Sequence, residues 1–103
     1  MERIQSSTTI KGSYIIGKTV INADNETLGT IEDIILSKIS GLALYIIVSF
    51  GGFMGLEDKF YALPWNSVNY DVVKQSFQLA INPQEIKSAP SFNRAEWFDL
   101  LHD

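Results

Sequence analysis

The chain has 103 residues, 46% of them apolar and 19% charged, the length and balance of a single folded domain and not of a disordered segment. It has no cysteine and one histidine, His102, which excludes disulfides, thiolate metal sites and multi-histidine centres and leaves no internal Ser-His-Asp triad to expect. Twelve acids against eight bases give a formal charge of −4, and no two bases are adjacent, so the clustered basic footprint of a direct nucleic-acid binder is missing in one dimension.

Residues 1–12 are polar and without periodicity, and read as a flexible N-terminal tail. The longest apolar run near the start, Tyr14-Ile15-Ile16, is far shorter than the roughly seven or more residues of a secretory signal core, so a cytoplasmic protein is expected. From Ser13 to Ile81 the pattern is all-β. Lys18–Asn22 reads as a short strand, and Asp24 and Asn25 supply turn chemistry. Leu28–Ser37 is a second strand, Ile39-Ser40-Gly41 a turn, and Leu42–Phe50 a third strand, dense in β-branched and aromatic residues. The uncharged run Ile39–Leu56 barely reaches the ~18 residues a membrane helix needs, and four glycines and two serines break it up. A buried strand and a glycine-rich loop are therefore expected, with no membrane span. Phe60–Leu63 is a fourth strand stopped by Pro64, and Trp65–Ser67 a single tight turn. Val68, Tyr70 and Val72 alternate, as do Phe77, Leu79 and Ile81, around a Lys74-Gln75-Ser76 turn. Six short strands in so few residues favour a small closed or nearly closed barrel.

The pattern changes at Asn82. Asn82-Pro83-Gln84-Glu85 is a helix start with a cap, a proline at the first helical position and a glutamate three residues after the cap. That helix must end before Pro90. Asn93-Arg94-Ala95-Glu96 repeats the box, with Phe92 and Trp97 at the spacing of a hydrophobic staple. Trp97, Phe98 and Leu101 share one helical face. The expected organisation is a tail over 1–12, a barrel over 13–82 and a C-terminal helical extension over 83–103.

The β region resembles the PRC-barrel family over roughly Ser13 to Phe92. The strongest stretch is Val48-Ser49-Phe50-Gly51-Gly52-Phe53-Met54-Gly55, then Asp58-Lys59, then Ala62-Leu63-Pro64-Trp65. Ile16-Gly17-Lys18, Leu28-Gly29 with Ile31 and Asp33, and Ala89-Pro90-Ser91-Phe92 support it. Two features depart from the pattern: Glu57 stands where many members carry glycine, and the turn before Phe77 lacks one. The resemblance implies an all-β, six-stranded PRC-type barrel, structural roles for Gly29, Asp33, Gly51, Gly52, Gly55, Asp58, Pro64 and Trp65, and a function in binding or assembling other macromolecules. Such barrels occur in reaction-centre H subunits, in a ribosome maturation factor and as small stand-alone bacterial proteins. No shared catalytic residue comes with it.

The remaining constellations point the same way. Gly51–Gly55 lacks the Lys-Ser/Thr and the helix start of a phosphate cradle. Phe53 and Met54 at that loop either fold onto the barrel mouth or face a partner. Asp24-Asn25-Glu26 lacks the glycine and distal glutamate of a calcium loop and reads as a solvated turn. Glu32 and Asp33 are strand neighbours and point to opposite faces, so they do not form an acid-base pair. Asp33 has the strand parity of Ile31 and Ile35, which implies a structural hydrogen bond or a bulge that re-aims it. The tail helix is too short to be stable alone and must dock, on its own barrel or on a second copy. The expected function is a non-enzymatic protein-interaction module, a homodimeric adaptor or regulator of a larger complex, with no cofactor and no metal. Its candidate partner-binding residues are Phe53, Met54, Phe92, Trp97, Phe98 and Leu101. The alternatives are a ribosome-maturation-like factor that acts through a ribosomal protein, and a small-molecule-binding barrel.

Overall fold

The computed structural model describes residues 8–51 and 59–100. A one-turn helix α1 (Gly12–Ile15) precedes strands β1 (Thr19–Ile21), β2 (Thr27–Leu36), β3 (Ala43–Phe50) and β4 (Phe60–Pro64). A 3-10 turn (Trp65–Ser67) leads to β5 (Val68–Asp71) and β6 (Ser76–Leu79). Helix α2 (Pro83–Lys87), the two-residue strand β7 (Ser91–Phe92) and helix α3 (Arg94–Leu100) complete the described chain.

The strands form one sheet in the order β5-β6-β1-β2-β3-β4-β7. All neighbours are antiparallel except β1 and β6. The six strands expected from the sequence are all present, and β7 adds a seventh outside β4. Strand pairing ends at β5 and β7, so the fold is barrel-like and its sheet is not closed. Its concave face holds one apolar cluster that includes Val20, Leu28, Ile31, Ile46, Val48, Phe50, Leu63, Phe77 and Ile86. Phe50 and Tyr61 meet edge to face there, with ring centroids 5.6 Å apart.

Two irregularities set the faces of the long β2–β3 hairpin. Ile31 pairs with Val48 and Asp33 with Ile47, which leaves Glu32 as an extra residue. An inserted residue reverses strand parity. Ile31 and Ile34 therefore both turn to the core, where straight alternation would have grouped Ile31, Asp33 and Ile35. Asp33 leaves the core face, half-buried, and its Oδ1 accepts the Ile34 backbone N–H at 2.8 Å. Farther out, Ile35 pairs with Tyr45 and Leu36 with Ala43, so Leu44 is a second extra residue. Gly29, buried opposite Phe50, makes the close approach of β2 to β3 possible. A Cβ there would stand 2.1 Å from the Ser49 carbonyl oxygen.

Three local expectations are corrected. Residues 12–15 form a helical turn that buries Ile15, in a stretch expected to hold the end of the tail and the start of an all-β region. Ile10, in the segment read as a loose tail, packs against the core. The strand expected to continue through Val72 stops at Asp71, because Asp71 Oδ1 accepts the N–H groups of Val73 and Lys74 and bends the chain into a turn. Val72 and Val73 are exposed in that turn, and Gln75 takes the left-handed φ of +51° that a glycine would have held without strain. Outside the sheet, Asn22 closes the β1–β2 turn by accepting from Asp24 N and Glu26 N, both at 2.9 Å.

Candidate interaction surface

The β2–β3 hairpin outlasts its neighbours. On one side the segment of Gly17 and β1 bonds to β2 only as far as Ile31, and on the other β4 pairs with β3 only from Tyr45 inward. The far end of the hairpin, residues 36–45, is thus an arm that projects from the sheet, with Tyr45 at its base opposite Pro64, and among the described residues no strand flanks it farther out. Its turn is well built. Ser37 Oγ accepts from Ile39 N and Ser40 N at 3.2 and 3.1 Å, Gly41 N donates to Ser37 O at 2.9 Å, and Gly41 supplies the required φ of +76°. This turn holds Ile39 fully exposed, and Leu36, Leu42, Leu44 and Tyr45 are 42–65% exposed around it. An apolar group of this size, held out by a rigid turn, marks an interaction surface. The buried strand expected over Leu42–Phe50 is therefore buried only in its inner half. Sequence reasoning missed the arm, although the greater length of the second and third strands over the fourth was a signal for it.

Next to the arm runs a groove of about 440 Å³. Tyr45, Pro64 and Ala62 form one wall, Asn66 and Ser67 of the 3-10 turn its floor, and the α2 segment, with Glu85 and Ser88, the other side. The α2 segment is fixed in place by its N-cap, since Asn82 Oδ1 accepts from Glu85 N at 3.0 Å, and by the burial of Ile86 in the core. Tyr45 belongs to both the arm and the groove.

The C-terminal extension docks on its own chain. Asn93 Oδ1 accepts from Glu96 N at 2.8 Å, and Glu96 Oε1 from Asn93 N at 2.9 Å, a complete capping box. The Trp97 ring lies 6.3 Å from Phe92 and 6.2 Å from Phe60, so the staple is formed and also seats α3 on β4. Arg94 also lies over Phe60, with 5.7 Å from its guanidinium carbon to the ring centre. Lys59 and Arg94 line a second, smaller cavity with Phe60.

Of the residues singled out from sequence, Phe92 and Trp97 are half-buried against each other and Phe60, on the opposite edge of β3 from the arm's outer pairing with β2. Phe53, Met54 and Leu101 lie outside the described residues, as do Gly52, Gly55, Asp58 and the side chain of Phe98. Gly51 is exposed, Pro64 ends β4 opposite Tyr45, and Trp65 packs against the core. The two adjacent carboxylates are each engaged in structure: Glu32 Oε1 accepts from Ser49 Oγ at 2.7 Å and Asp33 caps Ile34. Among the described residues no group of three or more His, Asp or Glu is placed to hold a metal ion, and no helix is long and apolar enough to cross a membrane.

The family model of the PRC-barrel domain matches residues 7–85. A comparison with curated proteins gives no match.

Proposed function

From the premise that the chain belongs to the PRC-barrel family, we propose that it is a non-enzymatic protein-interaction module, a homodimeric adaptor or regulator in a larger cytoplasmic assembly. Coarsely, PRC-barrel domains are modules of protein interaction. The observation that supports the reading for this chain is the arm, which exposes five large apolar side chains on a turn stiffened by its own serines. One exposed apolar residue is ordinary, but five at one hairpin end, with Ile39 fully exposed, suit a surface that a partner covers. The engagement of Glu32 and Asp33 in hydrogen bonds within the fold also suits a binding role better than an acid-base one.

The test is affinity purification of the tagged chain from its own cells, wild type beside Ile39→Asp/Leu42→Asp. The expected result is a defined protein held in near-stoichiometric amount by the wild type and lost by the variant, with unchanged thermal unfolding. Equal retention by both, or turnover of a metabolite by the purified chain, would overturn the reading.

A further inference from the structure

We infer that the arm of one copy lies in the groove of a second copy, in a two-fold dimer whose axis passes beside Tyr45. The inference deepens the interaction-module reading and rests on it. Three observations lead to it.

The first is adjacency. Arm and groove lie on either side of Tyr45, which forms part of both. In a two-fold interface, residue i of one copy meets j of the other and j meets i. A rotation about an axis at Tyr45 exchanges the two sides, so each arm comes over the other copy's groove and the two Tyr45 rings meet at the centre.

The second is charge. The arm's only charged residue is Lys38, exposed beside Ile39, and the groove's only charged wall residue is Glu85, also exposed. Neither has an ion-pair partner among the described residues. When Ile39 enters the groove, Lys38 comes to Glu85 of the other copy. Both copies carry a net −4 and repel each other over most of their surface, so this neutral to positive arm is where they can approach.

The third is reciprocity. The groove is small, so one arm seated in one groove covers little surface, whereas a two-fold pair makes the same contact twice and doubles the area buried.

The experiment is light scattering after size exclusion, with sedimentation to obtain Kd, on the full chain and on Lys38→Glu, Glu85→Lys, the double swap and Ile39→Ser. Wild type is expected at twice 11.5 kDa. Each single charge variant places like charges together at both contacts and should raise Kd roughly tenfold or more. The double swap restores opposite charges and should return toward wild type. An equimolar mixture of Lys38→Glu with Glu85→Lys should do the same, because both contacts of the mixed dimer then carry opposite charges. Ile39→Ser should be monomeric at the same concentration, and thermal unfolding of all variants reports that they fold. A wild type that stays at 11.5 kDa, an Ile39→Ser that stays dimeric, or a swap and mixture that fail to recover the dimer would each overturn the inference. An arm that instead takes the monomeric chain onto neutral phospholipid vesicles would overturn it too. A monomeric chain that still captures a defined protein through the arm would overturn this dimer and the homodimeric part of the proposed function, and leave the protein-interaction module standing.

Discussion

Gly29→Ala is the sharpest perturbation of the fold, because the clash is with backbone. The new Cβ would lie 2.1 Å from Ser49 O, 3.0 Å from Ser49 C and 3.1 Å from Phe50 Cα. Relief needs roughly 1 Å of separation between β2 and β3, against a normal strand spacing of about 4.8 Å. That movement breaks the hydrogen bonding around the Gly29–Phe50 pair, where Gly51 N already reaches Leu28 O at 3.3 Å. Two lost backbone bonds at about 1 kcal/mol each, with about 1–2 kcal/mol for disturbed packing of Leu28 and Phe50, give a loss near 3–4 kcal/mol. Reduced freedom of the unfolded chain returns about 0.5–1 kcal/mol. The net loss is about 2–3.5 kcal/mol, which lowers Tm by about 8–28 °C for a domain of this size. Thermal and urea unfolding followed by circular dichroism would measure it, with the urea midpoint lowered and its slope unchanged. Gly12→Ala is the control, since a Cβ there meets nothing within 4 Å and φ is not positive. A Tm loss at Gly29→Ala of less than about 4 °C, or equal losses at both sites, would refute the close-approach argument.

Other outcomes can be checked on the same samples. Asn93→Ala removes one half of the capping box and should cost α3 about 1 kcal/mol, seen as a red shift and greater quenching of Trp97 fluorescence at unchanged core cooperativity. Gln75→Asn keeps the left-handed turn with a residue that tolerates it better, and should raise Tm by about 2–4 °C; a fall would refute strain at that position. Tyr70 packs 4.9 Å from Phe77, and its partial burial first, then Tyr14 and Asp71, hold its phenol above the ordinary 10.0. The fold therefore favours the neutral phenol, so this contribution is full below pH 10.0 and is lost as pH rises through the higher folded value. The urea midpoint should fall less steeply with alkali in Tyr70→Phe than in the wild type, and parallel curves would argue against it.

The sequence by itself determined what depends on near neighbours along the chain. Alternation located the strands, and the Asn-x-x-Glu spacing of residues 93–96 wrote the capping box that α3 forms. The family pattern named the fold, and the parity of Asp33 with two isoleucines already signalled a structural hydrogen bond or a bulge, both of which are present. Tertiary structure decided what depends on where neighbouring strands end. Leu36, Ile39, Leu42 and Leu44 are as apolar as Ile46, Ile47 and Val48, and no local property separates them. They are exposed because β1 and β4 stop short of the hairpin's end, and the lengths of those strands are set elsewhere in the chain, by Gly17 on one side and Pro64 on the other. The docking of Trp97 had the same origin. Its greasy face was legible, but its target required Phe60, thirty-seven positions away in sequence, to be on the edge of the sheet that the helix reaches. Burial is a property of neighbours in space, and only the folded sheet supplies them.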